Sequence, residues 1–192
     1  TMFPFIIGRE SSVKALEYAL RNERYLFLAT QKDPATDEPQ ADDIHAVGTV
    51  GIIMRMLKLP DERIKILVQG LAKGRIEEYI QNDPYYSVRI EKLVETKQAG
   101  STLETEAVMR TVKEQIEKIV SLGKVLIPDV MVVIENLEDP GRLADMVASN
   151  LGLKVDITQA VLEIVDPIQR LRQISEILSK EIDVLSMQQK IQ

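Results

Sequence analysis

The chain has no cysteine, no tryptophan and a single histidine, and its aromatic content is 4%. Each scarcity removes a class of chemistry. Without cysteine there is no disulfide framework, no thiolate metal site and no cysteine nucleophile, a pattern that suits a reducing cytosol. One histidine, His45, excludes a multi-histidine metal centre and gives any Ser-His-Asp triad one possible base. So few aromatics leave little material for platforms that stack bases or sugars and require an aliphatic core of Ile, Leu, Val and Met. Positive charge is also short: 24 Lys and Arg stand against 30 Asp and Glu, a net charge of −6, and no basic cluster is dense enough to neutralise successive phosphates. Nucleic acid is therefore not an expected partner. No apolar run approaches the roughly 20 residues that span a bilayer, and the segment from Met2 to Ile7 lacks the basic flank and cleavage site of a signal peptide. The expectation is a soluble, cytoplasmic protein with no membrane partner.

What is present is 192 residues with 45% hydrophobic content, enough for one large domain or two small ones. Phe3-Pro4-Phe5-Ile6-Ile7 reads as a strand, and Val13, Leu16, Ala19 and Leu20 recur at helical spacing after Gly8. Tyr25 to Ala29 is a second strand, followed by an exposed loop punctuated by Pro34 and Pro39. Val47 to Leu59 is apolar on both faces, turns at Pro60-Asp61-Glu62-Arg63, and returns through Ile64, Ile66 and Val68 in strict alternation, a long β-hairpin. Further strands are expected at Ile76 to Ile80 and Tyr85 to Val94, separated by Asn82-Asp83-Pro84. Five or more strands with one helix predict a small barrel or curled sheet.

Near Gln98-Ala99-Gly100-Ser101 the alternation gives way to a 3.6-residue period. Two domains are expected, residues 1–98 β-rich and residues 99–192 helical, with most of the acidic excess in the second. Ser101 and Glu104 have the spacing of a capping box, and the helix they open carries Val108, Val112, Ile116, Ile119 and Val120 to a stop at Gly123. Pro128, Pro140 and Pro167 sit where proline can begin a helix, because its missing N–H is harmless in the first turn. The last segment places Ile168, Leu171, Ile174, Leu178, Ile182, Leu185 and Ile191 on one stripe. Such a stripe is ordinarily core, and it also has the form of one that continues into a coiled coil and packs between subunits.

No reactive constellation is evident. Asp42-Asp43-Ile44-His45 has the residues of a catalytic or metal site, but a lone histidine at a strand start is ordinarily structural, and no Gly-x-Ser-x-Gly elbow supplies a nucleophile. Gly48, Gly51, Gly70 and Gly74 match no phosphate-binding spacing; glycines in alternating strands mark bulges or close backbone contacts. In the pairs Asp61/Glu62 and Glu77/Glu78, neighbours on a strand would point to opposite faces, so solvated carboxylates are the better reading. Catalytic, cofactor and metal residues are accordingly expected to be none. The more suggestive surface is the hairpin, where Met54, Met56, Leu57, Leu59 and Pro60 supply more apolar side chains than one buried face requires. Flexible methionines suit varied apolar partners, and Phe3 and Phe5 would extend the patch.

Taken in order, Phe5-Ile6-Ile7-Gly8-Arg9-Glu10, Ala29-Thr30-Gln31-Lys32-Asp33, Asp43-Ile44-His45-Ala46-Val47-Gly48-Thr49-Val50 and Leu57-Lys58-Leu59-Pro60-Asp61 resemble the amino-terminal domain of bacterial ATP-dependent Lon proteases. The resemblance continues through Lys65-Ile66-Leu67-Val68-Gln69-Gly70-Leu71, Asp139-Pro140-Gly141-Arg142-Leu143-Ala144-Asp145 and Gln159-Ala160-Val161-Leu162-Glu163, and covers nearly the whole chain. It implies an α+β fold, a PUA-like β-barrel followed by an α-helical bundle ending in a long helix. It implies a non-catalytic domain that recognises unfolded, damaged or tagged proteins and contributes to a homohexamer. The coiled coil, the ATPase with its ATP and Mg, and the Ser-Lys protease would lie in other modules. The pattern also implies an additional strand ahead of this sequence, whose absence would leave a barrel edge exposed for pairing. The chain departs from the pattern at Glu62, where a glycine is common. Without that glycine the turn is expected to avoid a positive φ or to differ locally.

Overall fold

The computed structural model describes residues 2–95 and 102–191. The chain divides into two compact units, Thr1–Val94 and Glu95–Gln192. The domain boundary expected after residue 98 and the Ser101 end of the capping box lie outside the described residues.

In the first unit the strands are β1 (Met2–Ile7), β2 (Tyr25–Leu28), β3 (Val47–Lys58), β4 (Ile64–Gln81) and β5 (Ser87–Leu93). All pairings are antiparallel, in the order β1-β4-β3-β2, with β5 also on β4. Ile64–Val68 and Ile76–Ile80, separate runs in the sequence, belong to one strand of 18 residues. The glycines between them bend β4 instead of ending it. Gly48 pairs with Gly74 and Gly51 with Gly70 across the β3/β4 ribbon. A Cβ on Gly48 would lie 2.2 Å from the Leu28 carbonyl oxygen, and one on Gly51 would lie 2.4 Å from Val68 Cγ1. Register shifts between Val50 and Gly51 and between Ile53 and Arg55 add local twist, and the sheet curls.

One helix, α1 (Glu10–Arg21), covers part of this sheet. Its Leu16 and Ala19 are buried with Ile53, Ile64, Ile66 and Val68, and Val13 and Leu20 pack beside them. The hairpin turn is built from Leu59 to Arg63. The Glu62 N–H donates to the Leu59 carbonyl and the Leu59 N–H to the Arg63 carbonyl, with Pro60 at the turn position its fixed φ suits. Glu62 has φ +71°, so the expectation of a turn without a left-handed residue is corrected. The Asp61 carboxylate, which accepts from the Arg63 N–H and Nε, fastens the turn around it.

The second unit contains α2 (Thr102–Ser121), α3 (Pro128–Asn136), α4 (Pro140–Asn150), α5 (Val155–Glu163) and α6 (Pro167–Ile191). Three of the five begin at the prolines the sequence marks. Asp139 caps α4 by accepting the Arg142 N–H at 3.1 Å, and Asp166 receives the Ile168 N–H at 2.9 Å ahead of α6. Gly123, at φ +104°, follows α2 in the left-handed conformation that closes a helix. Val112, Ile116 and Ile119 of α2 meet Leu143, Ala144 and Val147 of α4 and Leu171, Ile174 and Leu178 of α6 in one aliphatic core. Each fully buried Ile or Leu contributes about 1.5–3 kcal/mol. Val120, expected on the inner stripe of α2, lies on its exposed side.

Candidate functional site

Strand register decides which of the hairpin residues can act together, because directly paired residues share a face and successive ones alternate. Phe5, Ile66 and Met56 form one cross-strand row, and Phe3, Val68 and Ile53 form another on the same face. In both rows the central residue is buried beneath the α1 contact. Phe3, Phe5 and Met56 flank it and keep 45%, 36% and 43% of their surface exposed. Leu57 belongs to the row Ile6, Lys65, Leu57 on the opposite face, and both apolar residues of that row are more than half exposed. Met54 is exposed at the irregularity between Ile53 and Arg55, Leu59 is half-buried in the turn and Pro60 is exposed. The seven residues therefore supply two apolar faces of one three-stranded ribbon, not a single patch. Among the described residues, β2 pairs with β3 only at Thr49–Ile52, so the β3 edge from Met54 to Lys58 is open.

A second feature of this unit was not visible in the sequence. A cavity of about 360 Å³ is walled by Ser11, Ala15 and Tyr18 of α1, by β2, by Ile76 and Tyr79 of β4, and by Tyr85, Tyr86 and Val88. All five tyrosines of the chain line it, together with Phe27. The aromatics are few, but they are gathered. Tyr79 and Tyr86 stack edge to face at 5.3 Å, and Tyr18 and Tyr85 lie tilted at 5.7 Å. The Tyr86 hydroxyl donates to the Pro39 carbonyl at 2.7 Å. The Tyr79 hydroxyl is buried without a hydrogen-bond partner among the described residues. Burial, reinforced by Tyr86 and Asp42, pushes its pKa above the ordinary phenol value, so it stays protonated.

The polar residues weighed for chemistry have structural duties. The His45 N–H donates to the Thr30 carbonyl and the Asp43 carboxylate accepts the Gln40 N–H, which together fasten the loop ahead of β3. Glu78 pairs with Arg89 across β4 and β5, and Asp61 pairs with Arg63 in the hairpin turn. The Arg63 side chain holds the Asp61 carboxyl below the usual 3.8. No group of three or more acidic or histidine residues suited to a metal ion occurs among the described residues.

In the helical unit, Leu171, Ile174 and Leu178 of the proposed assembly stripe are fully buried in the unit's own core. Ile182 and Leu185 pack partly against it. The exposed apolar residues at the end of α6 are Val184, Met187 and Ile191. The same helix carries Arg170, which is completely buried. Its Nη1 donates to the Ile164 carbonyl at 2.9 Å, its Nη2 to Glu95, and its Nε lies 3.0 Å from Asp145 Oδ1 in an ion pair. Gly141 makes room for this cluster, since a Cβ there would lie 2.8 Å from Arg170 Nη2. No helix among the described residues is long and apolar enough to cross a membrane.

A curled antiparallel sheet with one covering helix, joined in sequence to a helical bundle that ends in a long helix, defines an α+β fold. That fold is also found in the N-terminal domain of a Mycobacterium avium complex Lon protease, with a TM-score of 0.71 at 19% identity over 93% of this chain and 90% of that one. The Lon N-terminal domain protein of Xanthomonas campestris is similar at a TM-score of 0.55 and 13% identity, covering 91% and 88%. Residues 1–180 match the family model of the ATP-dependent protease La (LON) substrate-binding domain, and the chain belongs to that family. It is 55% identical over its whole length to a Lon protease of Geobacter metallireducens and 53% identical to one of Trichlorobacter lovleyi. The chain spans 23% of the length of each of these relatives.

Proposed function

We propose that the chain is the substrate-recognition module of an ATP-dependent Lon protease. It takes unfolded, damaged or tagged polypeptide onto the β-rich unit for delivery to ATPase and Ser-Lys protease modules elsewhere in the enzyme. In this reading the chain performs no catalysis, and ATP and Mg serve those other modules. The observation that carries the reading is the open edge of β3 from Met54 to Lys58, flanked on both faces by exposed apolar side chains. An extended client can add its backbone to such an edge whatever its sequence, while Met56 and Phe5 on one face and Leu57 and Ile6 on the other accept apolar side chains. Titrating the isotopically labelled chain with a denatured protein should shift amide resonances in residues 52–60 and in β1. Replacing Met56 and Leu57 by glutamine should weaken binding about tenfold, the scale set by two exposed apolar contacts, without unfolding the unit. A titration that leaves the hairpin unperturbed removes this site.

A second reading, a spacer that positions subunits of a homohexamer, draws on the exposed Val184, Met187 and Ile191 at the end of α6. Sedimentation separates it from the first, since a monomer at every concentration opposes autonomous assembly.

A further inference from the structure

We propose that the tyrosine-lined cavity of the sheet unit binds an uncharged aromatic side chain presented by a polypeptide client. The proposal rests on the reading of this unit as a client receptor and names a class of side chain it selects.

Four observations converge. Six of the chain's eight aromatic residues line one cavity, although they come from α1, β2, β4 and the approach to β5. The core beside them is aliphatic, so these rings are not needed to fill it. Tyr18 and Tyr25 keep 52% of their surface exposed, which leaves part of each side chain available to a partner. The volume, about 360 Å³, lies in the range of small-ligand sites and accommodates one large side chain with its adjoining peptide.

Charge sets the second criterion. No Asp, Glu, Lys, Arg or His lines the cavity, and the charge that acts on Tyr79 is the Asp42 carboxylate, so an anionic occupant would lose its hydration without gaining a counter-ion. The third criterion is the buried Tyr79 hydroxyl, a protonated polar atom without a partner among the described residues. An occupant carrying one neutral polar atom would satisfy it: an indole N–H, a phenol hydroxyl or a peptide amide. An aliphatic residue could satisfy it only through its peptide amide and would offer no ring to the tyrosines. Selection for aromatic over aliphatic side chains follows, and it differs from the hairpin ribbon, whose methionine and leucine accept either.

The test uses N-acetyltryptophanamide, a neutral probe whose indole emission is unmixed because the chain has no tryptophan. A saturable blue shift is expected, with amide shifts at Tyr79, Tyr85 and Tyr86. N-acetylleucinamide and the carboxylate N-acetyltryptophan should bind about tenfold more weakly or less, the scale of a lost aromatic contact. Ala15→Phe should fill the cavity and abolish probe binding. Tyr85→Ala, which only removes part of the wall, serves if the first variant does not fold, and should weaken the probe severalfold. A denatured client rich in aromatic residues should bind the unaltered chain more tightly than an aromatic-free one, and Ala15→Phe or Tyr85→Ala should reduce that difference. The Met56 and Leu57 glutamine variant should leave probe binding unchanged. Absence of saturation, shifts mapping to the hairpin, or equal binding of the leucine probe would overturn the proposal. So would probe binding without a preference for aromatic clients, which would make this a site for free small molecules. If both clients bind equally, only the cavity proposal fails; if neither binds, the receptor reading fails with it.

Discussion

The sheet unit holds every aromatic residue of the chain, all five tyrosines and all three phenylalanines, whereas the helical unit is closed by aliphatic side chains around one buried arginine. The difference reflects how each is built. In the helical unit, stripes at three- and four-residue spacing from α2, α4 and α6 interdigitate, and the polar groups at its centre are paired. In the sheet unit, closely approaching glycines let β3 and β4 curl, and a single helix covers only part of one face. What remains uncovered is lined by tyrosine, whose apolar ring and polar tip tolerate half-burial. A closed unit suits a framework; an incompletely covered one retains surface for partners.

Perturbing the helical framework should have the largest effect on stability. Arg170→Met should destabilise that unit by about 3 kcal/mol, because it leaves the Ile164 carbonyl without its donor and deprives Glu95 and Asp145 of a shared cation. Urea denaturation gives the magnitude, and hydrogen exchange should show the loss in α4 and α6 with β3 and β4 unchanged. If protection falls equally in both units, they do not unfold independently. Gly48→Ala is the corresponding change in the sheet. Its Cβ would press on the Leu28 carbonyl oxygen and the Phe27 ring, and a cost of about 2 kcal/mol is expected, with early exchange confined to β2, β3 and β4. The smallest effect is a gain. Glu62→Gly relieves a left-handed residue in the hairpin turn and should raise the stability of the sheet unit by about 0.5–1 kcal/mol.

How much of this was legible in the sequence depended on distance along the chain. Pro128, Pro140 and Pro167 begin helices because proline acts within one turn; the caps at Asp139 and Asp166 are as local but emerged only from the structure. The stripe Leu171, Ile174, Leu178 was readable as a face, but whether it served the unit's own core or another subunit depended on α2 and α4, far away in sequence. Met56 and Leu57 looked like one patch because they are adjacent; the β-ladder places them on opposite faces. Glu62 shows that the surrounding hydrogen bonds can impose a backbone conformation on a residue that disfavours it. The cavity was least legible. Tyr18, Tyr25, Tyr79, Tyr85 and Tyr86 share no periodicity, and only the bend of β4 and the return through β5 bring them to one place.

The one-sided distribution of aromatic rings makes the molecule its own reporter. Near-ultraviolet absorbance and tyrosine emission arise entirely before residue 95, while the helical signal in far-ultraviolet dichroism comes mostly from the five helices after it. A single unlabelled sample therefore carries two optical channels, one for each unit. Whether the two melt together or apart can be read directly from whether those channels coincide.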